Sequence, residues 1–94
     1  MSDDDKLSLL KADLETRTTQ KDEYLIFLLR SAAALIRREG IVLTDSVEDT
    51  LLETRYAAYL YRKRSKDGAV MPRDLRYALN NRLVHERAGD GDAP

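Results

Sequence analysis

Few side chains in this sequence have the chemistry that catalysis or metal binding requires. The single histidine, His85, lies near the C-terminus, and no carboxylate stands at a helical spacing that would orient its imidazole. Cysteine is absent, which excludes disulfides and thiolate metal sites. Adjacent acids such as Asp22 and Glu23 are typical of a helix N-terminus rather than of a metal site. The sequence therefore predicts a protein that is not an enzyme and that uses no cofactor and no metal.

The strongest charged signal is a basic cluster formed by Arg62, Lys63, Arg64 and Lys66. It is part of an uneven distribution, because the first 54 residues hold 7 Lys/Arg and 12 Asp/Glu, whereas the next 33 hold 9 and 3. Cations near the end of a helix also stabilise its dipole, so that interpretation stays open beside phosphate contact. We predict that the four residues face either the acidic part of a neighbouring subunit or DNA.

The longest apolar segment, KDEYLIFLLRSAAALIRRE from Lys21 to Glu39, predicts the helix at the centre of the core. Thr19 with Asp22 predicts its N-terminal cap, and Gly40 predicts its left-handed stop. Phe27 lies on the charged side of this helix, where either a loop of the same chain or a neighbouring subunit would cover it. The predicted core-facing residues are Leu25, Leu28, Leu29, Ala32, Leu35 and Ile36.

The next helix, from Val47 to about Lys66, has apolar residues on two faces, which is typical of a helix buried between two layers. Other helices of the chain can supply both layers, or a neighbouring subunit can supply one of them. Tyrosine suits an interface because its ring is apolar and its hydroxyl is polar. We therefore predict a subunit interface that contains Phe27, Leu52, Tyr56 and Tyr59.

The predicted fold class is all-α, a small bundle of about four helices that acts as a ring-forming subunit. At most a trace of strand is expected in the β-branched run 41–43. The domain should cover residues 1–88, and the polar tail 89–94 should be disordered. The helices are expected near residues 3–15, 20–39, 46–65 and 72–84, with Ser2 or Asp3 as the cap of the first and Pro72 opening the last.

No apolar run approaches the roughly 20 residues that a membrane-spanning helix needs. The N-terminus MSDDDK is acidic, whereas a secretory signal would be basic. We therefore expect an intracellular protein without membrane association.

The order of these helices, with AAYLYRKR at residues 57–64 and MPRDLRYALNNRLV at 71–84, resembles the small head-tail connector proteins of tailed bacteriophages and prophages, including siphophages. The resemblance covers about residues 5–84. It implies a mainly helical adaptor that assembles as a ring of identical subunits, docks beneath the portal and surrounds the DNA channel. The implied partners are the portal protein and the next connector, stopper or tail protein, with non-specific proximity to DNA. The implied location is the head-tail interface of the virion, and the host cytoplasm during assembly.

An alternative is a small helical DNA-binding regulatory protein that uses the basic cluster together with Arg73, Arg76 and Arg82. Against it, the connection between the last two helices is longer than in a helix-turn-helix motif. The leucine stripe of the last helix also predicts few outward polar side chains. The connector interpretation is therefore preferred.

Overall fold

The computed structural model of this chain describes residues 2–65 and 70–92. Four α-helices make up most of these residues, and no strand occurs among them. The helices are α1 (Asp3–Leu14), α2 (Asp22–Arg38), α3 (Val47–Ser65) and α4 (Arg73–Asp92). The prediction of a small all-α bundle is confirmed. Residues 41–43 form a loop without strand structure, in which Ile41 is buried against the helices.

Local hydrogen bonds explain where the first three helices begin. Ser2 caps α1, because its Oγ accepts the amide of Asp5 at 3.2 Å, and Ser46 Oγ accepts the amide of Asp49 at 3.1 Å in the first turn of α3. The predicted cap at Thr19 is wrong. A turn in which the Thr19 carbonyl accepts the amide of Asp22 delays the start of α2, and Lys21 precedes that helix without a side-chain cap.

Gly40 ends α2 as predicted, with a positive φ of 106°. A Cβ at this position would lie 3.3 Å from Leu83 Cδ1, so the glycine also allows α4 to approach the end of α2. The last helix runs to Asp92, beyond the predicted end near residue 84. Residues 89–92 of the predicted tail therefore belong to α4, and disorder stays a prediction for residues 93 and 94, which lie outside the described part of the chain.

Contacts between side chains show that successive helices alternate in direction. Arg30 pairs with Asp3, and Lys11 pairs with Asp22, so α1 and α2 are antiparallel. Lys21 near the start of α2 contacts the ring of Tyr61 near the end of α3, so this pair is antiparallel as well. In the described part of the chain, no helix combines the length and the apolar character needed to cross a membrane.

The helix that packs against all the others is α3, while α2, the predicted central helix, supplies the largest group of buried apolar side chains. Helices α1, α2 and α4 all pack against α3. By contrast, α2 packs mainly against α1 and α3. Small buried side chains occur on both α2 and α3, where Ala32, Ala57 and Ala58 allow neighbouring helices to approach closely. The core is formed mainly by Leu7, Leu10, Leu25, Leu29, Ala32, Ile36, Ile41, Leu52, Leu75 and Leu79.

Candidate interaction surfaces

The predicted basic residues lie together at the C-terminal end of α3. Arg62, Lys63 and Arg64 are exposed, while Lys66 lies outside the described residues. Arg62 donates a hydrogen bond to the carbonyl of Asp13 at 3.2 Å, and its guanidinium is 3.5 Å from the Asp13 carboxylate. These contacts tie the end of α3 to the end of α1 within one chain.

Two further cations lie over aromatic rings at the same end of the molecule. Arg64 Cζ is 5.0 Å from the ring centroid of Tyr24, and Lys63 Nζ is 5.8 Å from that of Tyr59. Such cation–π contacts contribute roughly 0.5–1 kcal/mol at exposed sites. The cations are therefore held in place and still accessible to an anionic surface.

Lys21 and Tyr61 join this group from the start of α2 and the end of α3. Lys21 Nζ donates a hydrogen bond to Tyr61 Oη at 2.7 Å, and the Tyr24 and Tyr61 rings are 6.5 Å apart. Sequence reasoning did not assign Lys21 to the basic group, because forty residues separate it from Tyr61 and no local pattern links them. We call the group formed by Lys21, Tyr24, Tyr59, Tyr61, Arg62, Lys63 and Arg64 the basic–aromatic end.

The predicted interface residues separate into two environments. Leu52 is 3% exposed and Tyr56 is 8% exposed, so both belong to the core of the single chain. Burial, and then the nearby Glu39 carboxylate, raise the pKa of the Tyr56 hydroxyl. The alternative in which helices of the same chain cover this face is the one observed. Phe27 and the half-buried Tyr59 are the accessible members of the predicted interface.

Phe27 is 62% exposed on α2, and no loop in the described part of the chain buries it. Its position on the helix is opposite the buried Leu25 and Leu29. Large apolar side chains are exposed on other helices too, including Leu51 and Val47 on α3 and Tyr77 and Val84 on α4. Exposed large apolar side chains therefore occur on α2, α3 and α4.

The uneven charge of the sequence is partly balanced inside the chain. Among the described residues, three ion pairs connect the acidic first part to the basic second part: Arg62 with Asp13, Arg76 with Glu39 at 2.9 Å, and Arg82 with Asp49 at 2.8 Å. The hydrogen bonds to Glu39 and Asp49 raise the pKa values of Arg76 and Arg82 and keep both guanidinium groups charged.

The most buried of these pairs forms a structure that we call the Asp49 clasp. Asp49 is 2% exposed, and its Oδ2 accepts hydrogen bonds from the amide and the hydroxyl of Thr44 at 2.8 and 2.9 Å. Arg82 Nη2 also donates to the carbonyl of Val42 at 2.8 Å, and Glu86 Oε1 accepts the Val42 amide at 2.7 Å. The clasp fixes the α2–α3 loop against α4.

Opposing effects act on the Asp49 carboxyl. Burial raises its pKa, but the hydrogen bonds from Arg82 and Thr44 together lower the pKa by a larger amount. The pKa of Asp49 therefore lies below the ordinary value of 3.8. Sequence reasoning did not pair Asp49 with Arg82, because 33 residues separate them. The i,i+4 pair of Arg82 and Glu86 was the one local signal of the clasp.

The clefts of the described surface are open to solvent, and the one of about 590 Å³ lies at the end of α1. One of about 250 Å³ lies between the end of α1 and the start of α4, and another of about 210 Å³ lies between α3 and α4. Among the described residues, no group of three or more His, Cys, Asp or Glu side chains could hold a metal ion. His85 is exposed on α4.

The fold and its surfaces define a small helical bundle whose buried charges are structural and whose outer faces are partly apolar. No family model, no curated protein and no solved structure matches this chain.

Proposed function

We propose that this chain is a structural adaptor that assembles in several copies, of the head-tail connector type found in tailed bacteriophages and prophages. The observation that carries the proposal is the exposure of large apolar side chains on separate helices. Phe27 is exposed on α2, while Tyr77 and Val84 are 60% and 65% exposed on α4. A subunit that contacts different neighbours needs separate apolar surfaces of this kind.

The sequence resemblance supplies the biological setting of this proposal. The segment AAYLYRKR lies at the end of α3, and the segment MPRDLRYALNNRLV leads into α4 and forms its first half, so each contributes both core residues and residues of the surfaces described above. The adaptor would form a ring on the portal and contact the next connector, stopper or tail protein. It would act in the virion at the head-tail interface after assembly in the host cytoplasm.

The basic–aromatic end suits this role because its cations already form contacts within the same chain. Arg62 pairs with Asp13, and Lys63 and Arg64 lie over tyrosine rings. Contacts of these residues with DNA would be weak and independent of sequence, which suits a channel through which DNA slides. The same cations can instead face an acidic surface of a neighbouring protein.

Deletion of the gene from an intact phage or prophage tests the proposal. Electron microscopy of the lysate should show DNA-filled heads without tails, and a plasmid copy should restore complete particles. The chain should also be found in purified wild-type particles, with immunogold label at the neck. Normal particles from the deletion strain, or purified particles without the chain, would contradict the proposal.

A DNA-binding regulator remains the second candidate, because the outer face of α4 is more polar than its leucine stripe predicts. Arg73, Asn80, Asn81 and Arg87 are all exposed on this helix. Asparagine and arginine side chains on one helix can read bases in the major groove.

Salt dependence distinguishes the two candidates. A regulator should bind a selected duplex at nanomolar affinity, with a slope of log affinity against log salt of about −0.9 for each neutralised phosphate. The adaptor should show no sequence-specific duplex binding at physiological salt. Reversing the charges of Arg62 and Arg64 together should impair particle assembly more than DNA binding. Specific nanomolar binding that this double change abolishes would favour the regulator.

A further inference from the structure

Two exposed apolar side chains of this protein have flanking charges in the same order, with the acid before and the base after. Phe27 lies on the outer face of α2, four residues after Glu23 and three residues before Arg30. Leu51 is 42% exposed on the outer face of α3, three residues after Glu48 and four residues before Arg55. All four flanking side chains are exposed.

Each set of three residues shares one side of its helix. At 100° per residue, the directions of Glu23, Phe27 and Arg30 fall within about 60° of one another. The same holds for Glu48, Leu51 and Arg55. The spacing between the flanking charges is seven residues in both helices, which corresponds to about 10.5 Å along the helix axis.

Leu51 also borders a cleft that can receive an aromatic side chain. The cleft between α3 and α4 has a volume of about 210 Å³ and is lined by Glu48, Leu51, Leu52, Arg55, Ala78 and Asn81. A closed apolar cavity of roughly 150 Å³ is large enough for benzene. The cleft therefore combines space for a phenyl ring with an acidic side chain at one end and a basic one at the other.

We propose that Phe27 of one copy docks on Leu51 in the α3–α4 cleft of a second copy, with α2 and α3 antiparallel. This inference deepens the proposed adaptor function by naming the contact between subunits. In the antiparallel arrangement Glu23 faces Arg55, Arg30 faces Glu48, and Phe27 faces Leu51. A parallel arrangement would place Glu23 beside Glu48 and Arg30 beside Arg55, and like charges oppose that contact.

The contact joins two different surfaces, so each copy keeps one surface free for the next copy. Repetition of such a contact produces a ring when the rotation closes. Arg30 is available for it, because its pair with Asp3 is exposed, with side-chain exposures of 72% and 49%. Exposed pairs of this kind contribute little to stability and exchange easily.

Crosslinking tests the register, since the chain has no cysteine of its own. A copy with Glu23→Cys is mixed with a copy that carries Arg55→Cys, and a short bismaleimide crosslinker is added. Crosslinked heterodimer is expected. The control mixture of Glu23→Cys with Glu48→Cys should yield much less of it. Equal yields from the two mixtures would overturn the antiparallel register.

A mixing experiment tests whether the two surfaces are different. Phe27→Asp and Leu51→Asp should each weaken self-association at least about 30-fold, because each places a charge in the apolar contact. An equimolar mixture of the two variants should form dimers and no larger assembly. Only Phe27 of the Leu51→Asp copy and Leu51 of the Phe27→Asp copy can still form the contact. Sedimentation velocity measures this, with Leu9→Asp on α1 as a matched control that keeps self-association, because Leu9 is 40% exposed and lies outside the proposed contact.

Other results would overturn the inference. If Phe27→Asp alone abolished association while Leu51→Asp had no effect, two Phe27 side chains would meet in a symmetric contact instead. A wild-type chain that is monomeric at roughly 1 mM would also refute the contact. Failure of these tests, with the chain still present at the neck of particles, would refute the contact and leave the adaptor function. Successful crosslinking, together with particles that lack the chain, would support the contact and refute the adaptor function.

Discussion

Replacement of Arg82 by methionine should severely destabilise this protein. The substitution keeps an unbranched side chain of similar length but removes every donor of the guanidinium. Asp49 would lose hydrogen bonds of 2.8 and 3.2 Å, and the Val42 carbonyl would lose one of 2.8 Å. Thr44 would remain as a donor to the Asp49 carboxylate, through its amide and its hydroxyl.

The expected magnitude follows from burial. The side chains of Arg82 and Asp49 are 13% and 2% exposed, and removing one partner of a buried ion pair costs about 3–5 kcal/mol. A domain of this size has a free energy of unfolding of roughly 5–15 kcal/mol, so the loss is a large fraction of the total. Arg76→Met is the matched control, because it breaks a pair whose side chains are 40% and 26% exposed. It should cost about 1 kcal/mol or less.

Urea denaturation at neutral pH, followed by circular dichroism at helix wavelengths, measures both changes in the free energy of unfolding. The reasoning requires that Arg82→Met reduces this free energy clearly more than Arg76→Met does. Equal and small decreases in the free energy of unfolding for the two substitutions would show that burial of Asp49 does not make its ion pair with Arg82 strongly stabilising.

Three further predictions use the same denaturation assay or circular dichroism. The pKa of Asp49 in the folded chain lies below the unfolded value, so the carboxylate stabilises the fold above about pH 4 and this contribution disappears as the pH falls through the folded-state pKa. The difference in the free energy of unfolding between wild type and Asp49→Asn should therefore be largest near neutral pH and should shrink in acid, and a constant difference would contradict the assignment. Gly40→Ala should destabilise by about 1–3 kcal/mol, because alanine is strained at a φ of 106° and its Cβ would press on Leu83; an unchanged urea midpoint would disprove this. Tyr56→Asp should unfold the single chain, whereas Phe27→Asp should leave its helical spectrum unchanged; loss of the spectrum in Phe27→Asp would place that ring in the core.

Local patterns in the sequence predicted the fold class and most helix boundaries. The apolar stripe of α2, Ser2 before α1 and the stop at Gly40 each act through residues within one or two turns, so periodicity and capping rules identify them. The late start of α2 was missed, because the turn at Thr19 uses a backbone carbonyl that any residue supplies.

Long-range contacts were the part that the sequence did not predict. The pattern of α3 indicated two apolar faces and left open whether the chain itself or a neighbour covers the second one. The answer depends on how α4 packs, which no residue of α3 specifies. The pairing of Asp49 with Arg82 and the contact of Lys21 with Tyr61 cross 33 and 40 residues, respectively, for the same reason.

The central position of α3 implies an uneven resistance to local unfolding. Because α4 packs mainly against α3 and the α2–α3 loop, we expect it to separate before α1, α2 and α3 come apart. The amides of α4 should then exchange with deuterium earlier than those of α3. Such a partial opening would expose Leu52, which lines the cleft between α3 and α4, without loss of the remaining bundle. The last helix, α4, thus covers the face of α3 that contains Leu52, and its separation would make that face accessible.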